Sequence, residues 1–213
     1  MKISKNLILR TFVTMVLLFV ACTASITAAP LVITDSTKYV RYTCVDAGIN
    51  IVLPEDWTYE TEYSQEGYYT FFGPEITQSI EITYNTLAAG NTVSVDNIAE
   101  LYYAVSVDEY NYLPLSRPSI LQFGDKFGMI CAYAENIKDV VYIMVDIMCI
   151  IGNKFIMITI IDEINSFVEK VEQYDVVVSS VMSNPSSMGI LEKLFSGIIP
   201  GAEILPATFI QSN

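Results

Sequence analysis

Three groups of residues have the types and spacing that could do chemistry. Met144, Asp146 and Met148 alternate along an apolar run beside Cys149, and thioethers with a thiolate are ligands for a soft ion such as Cu(I). Cys149 has the opposite parity, so core packing accounts for the set better than a metal does. Asp146 stands apart, because a carboxylate inside an apolar strand needs a hydrogen-bond partner, an edge position or a raised pKa. The acid pairs Glu55-Asp56, Asp108-Glu109 and Asp162-Glu163 could form an oxygen cage for Ca²⁺ or a glycosidase dyad. None has calcium-loop spacing, and each falls where a turn or helix end favours an acid, so solvated termini are expected. Trp57, Tyr59, Tyr63 and Tyr68, with Tyr69, Phe71 and Phe72 close by and Glu60, Glu62 and Glu66 interleaved, are the candidate recognition surface, whose rings would stack on a sugar or a basic side chain. The competing expectation is a hairpin with its rings in the core and its acids in water.

The 213 residues contain no histidine, which excludes Ser-His and Cys-His nucleophiles and imidazole zinc sites. There is no Gly-Lys-Ser/Thr phosphate loop, no Gly-x-Ser-x-Gly elbow and no dinucleotide fingerprint, so no cofactor and no catalytic residue is assigned. Lys2, Lys5 and Arg10 precede an uncharged stretch whose apolar centre is Phe12 to Ala21. A basic start, about ten apolar residues and a small-residue exit make an export signal. Residues 1–29 are therefore read as a signal peptide or lipoprotein leader. Phe19-Val20-Ala21-Cys22 resembles a lipobox, which makes Cys22 the candidate lipidation site. Ordinary cleavage and an uncleaved anchor are the alternatives.

Without those 29 residues, 24 acids face 8 bases, a net charge of −16. Such a surface repels phosphates, so nucleic acid is excluded as a partner, and membrane contact is expected only through an N-terminal lipid or anchor. Cys44, Cys131 and Cys149 form an odd set in which at most one bridge fits. A hairpin turning around Ile137 would set Cys131 opposite Ile143 rather than Cys149, so buried thiols are expected.

These residues need a frame. Residues 30–37 read as a linker, 38–183 as one domain, and 184–213 as an apolar tail with a short helix that either folds back or docks on a partner. Strands are predicted over Tyr39–Val45, Gly48–Leu53, Trp57–Tyr63, Tyr68–Phe72 and Ser79–Tyr84, running as one meander. A helix is predicted over Ser94–Tyr110 with the stripe Ile98, Leu101, Tyr102 and Val105. Strands then return on both sides of Gly124-Asp125-Lys126, over Asp139–Ile151 and over Lys154–Ile161. A long helix opens at Asp162-Glu163 and ends at Asn184-Pro185, with the stripe Ile164, Phe167, Val168, Val171, Tyr174, Val178 and Val181. Because Asp139–Ile151 is apolar at both parities, its sheet must be covered on both faces.

The segment Gly48-Ile49-Asn50-Ile51-Val52-Leu53-Pro54-Glu55-Asp56-Trp57, with the hairpin at Phe123–Phe127 and the last helix, resembles the PsbP-like superfamily, which includes PsbP and the Ran-binding Mog-like proteins. The resemblance implies an α+β fold: an α/β/α sandwich around a central, mainly antiparallel sheet of six to nine strands, with two principal helices. The export signal, this fold and the absence of catalytic motifs together lead to the expectation of an exported, non-enzymatic binding or assembly module of the cell envelope, outside the cell or on the outer face of its membrane, whose partner is an envelope protein or a small ligand. A carboxylate-dependent hydrolase of envelope glycan and a Ca²⁺-responsive binder are the alternatives.

Overall fold

A computed structural model of the chain describes residues 31–35, 39–90, 93–123, 126–181 and 191. Its strands are β1 (Leu31–Asp35), β2 (Tyr39–Cys44), β3 (Ile49–Pro54), β4 (Thr58–Tyr59), β5 (Tyr68–Phe72), β6 (Ser79–Thr86), β7 (Leu113–Phe123), β8 (Lys126–Ile137), β9 (Val140–Ile151) and β10 (Lys154–Glu163). Its helices are α1 (Val95–Ala104), continued by a π-helical turn over Val105–Glu109, then α2 (Ile164–Glu169) and α3 (Val171–Val181). One sheet has seven strands in the order β4-β5-β6-β10-β9-β8-β7, and a second has three in the order β1-β2-β3. Every pairing is antiparallel. The α+β sandwich implied by the resemblance is the architecture observed.

Parity sorts the long strands. Val141, Ile143, Val145, Ile147 and Cys149 of β9, with Ile156, Ile158 and Ile160 of β10, face one cluster, together with Tyr42, Cys44, Ile49, Ile51 and Leu53 from the small sheet and Phe167, Tyr174 and Val178 from α2 and α3. Met144 and Met148, with Phe155 and Met157, face the other cluster, where Ala99 of α1, Tyr112, Cys131 and Tyr133 join them. The double cover required by an apolar β9 is thus supplied by the small sheet and α2–α3 on one side and by α1 with its π turn on the other. The small sheet is tied to α3 where Val52 N donates to Ser180 Oγ at 2.8 Å. At the outer side of the large sheet, β7 carries Pro114 and Pro118 and loses register twice, between Pro114 and Ser116 and between Ser116 and Ser119.

Several expectations are corrected. The stretch read as a linker contains β1, paired along its length with β2. The first strands do not continue the main meander, because the turn after Pro54 turns them into a separate layer. The strand expected over Trp57–Tyr63 stops at Tyr59. There, Ser64 Oγ donates to Glu60 O at 2.7 Å and accepts from Thr70 N at 2.9 Å, which closes a loop where alternation suggested extension. On α1, Leu101 is 62% exposed, and the inward stripe is Val95, Ile98, Ala99 and Tyr102. The helix expected from Asp162 is two helices meeting at Lys170, and Asp162 and Glu163 belong to β10. The β8–β9 turn is Lys138-Asp139, with φ of 53° and 68°, so Cys131 lies opposite Asp146 rather than Ile143. Both turn residues take the left-handed conformation that matches strand twist, without the glycine that usually marks such a turn. The described cysteines Cys44, Cys131 and Cys149 are all buried thiols.

Candidate functional site

The Pro54–Trp57 turn positions the aromatic tract. Trp57 N donates to Pro54 O at 3.1 Å, and Tyr42 OH donates to Trp57 O at 3.3 Å. The indole is thereby turned inward, edge-on to Tyr174 with centroids 6.2 Å apart. Trp57 and Tyr68 are buried, and Tyr59 is half-buried against Phe71 at 5.5 Å. Burial raises the pKa of the Tyr59 phenol. Tyr63 alone of the four is well exposed, its ring meeting Phe72 edge-on at 5.8 Å. The tetrad is therefore mostly core, the competing expectation for these rings, and Tyr63 beside Phe72 is its open member.

Next to this tract, the turn between β5 and β6 is held by a carboxylate that charge reading had placed in solvent. Asp162 is fully buried. Its Oδ2 accepts from Tyr174 OH at 2.7 Å, Ser166 Oγ at 2.7 Å and Gln78 Nε2 at 3.1 Å. Its Oδ1 accepts from Glu163 N at 2.8 Å and Thr77 Oγ1 at 3.5 Å. A charge can be buried when its lone pairs are filled in this way. Burial first, and then the hydrogen bond to Asp162, push the pKa of Tyr174 far upward, so its phenol stays protonated and donates. Gln78 also donates to Ser166 Oγ at 3.0 Å, and Lys170 Nζ reaches Glu75 Oε1 at 3.0 Å. A Cβ at Gly73 would overlap the Gln78 side chain, so glycine is what lets that amide seat. Parity was the signal for Asp162: Ile156, Ile158 and Ile160 face the core, and position 162 continues their series.

On the opposite face Asp146 is buried, and Thr159 Oγ1, its cross-strand neighbour, donates to its Oδ1 at 2.7 Å. This supplies the partner the sequence required. Cys131 Sγ lies 3.1 Å from Tyr133 OH, and Ser106, buried in the π turn, also bonds to Tyr133. Burial pushes the Tyr102 phenol up to about 12, with the Asp146 charge adding to it. Met144 and Met148 share this face while Cys149 is across the sheet, so the soft-ligand set does not converge. Among the described residues no group of three His, Cys, Asp or Glu side chains could hold a metal ion. Glu55-Asp56 and Asp108-Glu109 are exposed, as expected. Cys22 and residues 1–29 lie outside the described residues. So does the tail, except Leu191, which is buried in the aliphatic cluster and whose N donates to Asp175 Oδ1 at 2.7 Å.

No protein-family model and no curated protein matches the chain. Among solved structures, that of cyanobacterial PsbP (CyanoP) from Synechocystis sp. PCC 6803 superposes with a TM-score of 0.52 at 12% identity, over 76% of this chain and 96% of that one. The chain has a PsbP-like fold. Two looser likenesses are the Ran-binding protein Mog1p of Saccharomyces cerevisiae, at TM-score 0.44, 10% identity and coverage of 78% and 94%, and a Bacteroides thetaiotaomicron VPI-5482 protein, at 0.42, 14%, and 62% and 43%. In this PsbP-like fold, the Pro54–Trp57 turn that carried the resemblance is where the small sheet, the β5–β6 turn and α3 meet.

Proposed function

We propose that the chain is an exported, non-enzymatic binding or assembly module of the cell envelope, attached to the outer face of the membrane. The observation that carries this reading is the use made of the buried acids. Asp146, Asp162 and Asp175 each accept hydrogen bonds that fasten one element of the fold to another, as structural carboxylates do. What the molecule offers to others is then its surface. The acidic excess of that surface favours a basic partner. The basic and apolar leader supports export, and Cys22 supplies the anchor.

The test uses the full chain, tagged at its C-terminus, in the parent organism. Protease added to intact cells should degrade the tagged chain, and native electrophoresis of mild detergent extracts should show it in a complex larger than itself. Cys22→Ala should move it from the membrane fraction to the soluble one. Protection from protease in intact cells, together with migration as a lone chain, would overturn the proposal.

A further inference from the structure

We propose that the turn from Pro74 to Thr77 is a pre-formed docking knob, whose apex Ile76 enters an apolar pocket rimmed by lysine or arginine on a protein partner. This rests on the binding-module reading and locates its contact. Ile76 is 78% exposed, the most open of the large apolar side chains among the described residues. A single exposed aliphatic residue is ordinary. What sets Ile76 apart is the rigidity beneath it. Gly73 N donates to Gln78 O at 3.1 Å and Gln78 N to Glu75 O at 2.9 Å, closing the turn on itself. Gln78 and Thr77 are then bonded to buried Asp162, and Glu75 to Lys170, so both flanks of Ile76 are tied to the start of the α2–α3 segment.

A turn held only for the sake of the fold could end in any polar residue. This one holds a β-branched side chain, with little rotamer freedom to lose, away from the protein. Ordering costs that a flexible loop would meet on binding are here met at folding. The chemistry of the occupant follows from charge. Lys170, the cation of this region, is already paired with Glu75, and Glu169 and Glu172 flank it, both exposed. Like charge opposes a second copy of this chain and an anionic lipid surface, and favours a pocket with a cationic rim.

The test places p-benzoylphenylalanine at position 76 of the full chain in the parent organism, with position 120 as the control. Ile120 is 73% exposed but lies on β7, away from the knob. Illumination should give one protein adduct from position 76 and none from 120. Glu75→Lys should weaken that adduct. In native electrophoresis, Ile76→Asp should lower the fraction of chain in the complex by about tenfold or more, the loss expected for a buried aliphatic anchor, while Ile120→Asp leaves it unchanged. Circular dichroism melts should show both variants folded as the parent is.

Unchanged co-migration of Ile76→Asp would overturn the knob and leave the binding-module reading standing. So would an adduct of twice the chain mass, or a lipid adduct. Failure of the unmodified chain to enter any complex would overturn both.

Discussion

The two faces of the large sheet are built from different materials. One is lined by Ile and Val, with the small sheet, α2 and α3 laid over it. The other is lined by Met, Tyr and Cys, with α1 and a π turn above. Branched aliphatic side chains have few rotamers and lock into one arrangement, whereas methionine fills irregular gaps and adapts to them. Each face also buries a carboxylate. Asp162, on the aliphatic side, has both oxygens filled by donors from three elements and a loop, and Asp146, on the methionine side, is bonded to a threonine across the strand pair. The β5–β6 turn is thereby fastened to the aliphatic side.

The sharpest way to break this contrast is to cut one side chain from each face of β9. Ile147→Ala should cost about 4 kcal/mol and Met148→Ala about 2 kcal/mol, because a methionine-lined cavity collapses more completely. Equal shifts in urea midpoint would abolish the distinction. Next comes the buried acid of the aliphatic face. Asp162→Asn replaces acceptor capacity with an amide that faces donors, and should cost about 3 kcal/mol. The same denaturation curves measure it, and a cost within about 0.5 kcal/mol of zero would show that the latch does not hold the turn.

Alkaline titration probes both faces at once. Burial pushes the Cys44 thiol on the aliphatic side up to about 12 from 9.0, and the Tyr102 phenol on the other up to about 12 from 10.0. Both stay protonated in the folded chain while the unfolded chain loses its protons, so stability is complete below pH 9 and declines as pH rises toward 12. Cys44→Ala should flatten the decline that begins at pH 9, and Tyr102→Phe should lessen the part that begins at pH 10, which Tyr69, Tyr84, Tyr133 and Tyr174 share, as followed by urea unfolding at stepped pH. The smallest effect is expected at Leu101→Lys, within about 0.5 kcal/mol, because that side chain is in water.

Leu101 also shows where sequence reading fails. Its spacing from Ile98 and Val105 fits a helical stripe, but Val95, Ile98, Ala99 and Tyr102 fit one too, and only the docking of α1 on the sheet decides between them. The long strands were legible because an apolar run at both parities admits one solution, a covered central strand. The separate small sheet was not, since nothing in Tyr39–Leu53 says which neighbour its backbone will choose. In the candidate site, the alternation that marked Trp57, Tyr59 and Tyr63 described the rings and missed Ser64, whose hydroxyl turns the chain. Asp162 was read by its acidic neighbour Glu163 rather than by its parity with Ile160, and the latch it forms with Gln78, 84 residues earlier in the chain, has no local signature.

The outer strands of the large sheet set a limit on growth. At one rim, β4 offers two residues. At the other, Pro114 and Pro118 have no amide proton to give, and the two breaks in register bend what remains of the strand. Both rims of the large sheet are thus poor templates for an incoming ribbon of backbone, which guards this sheet against growing edge to edge.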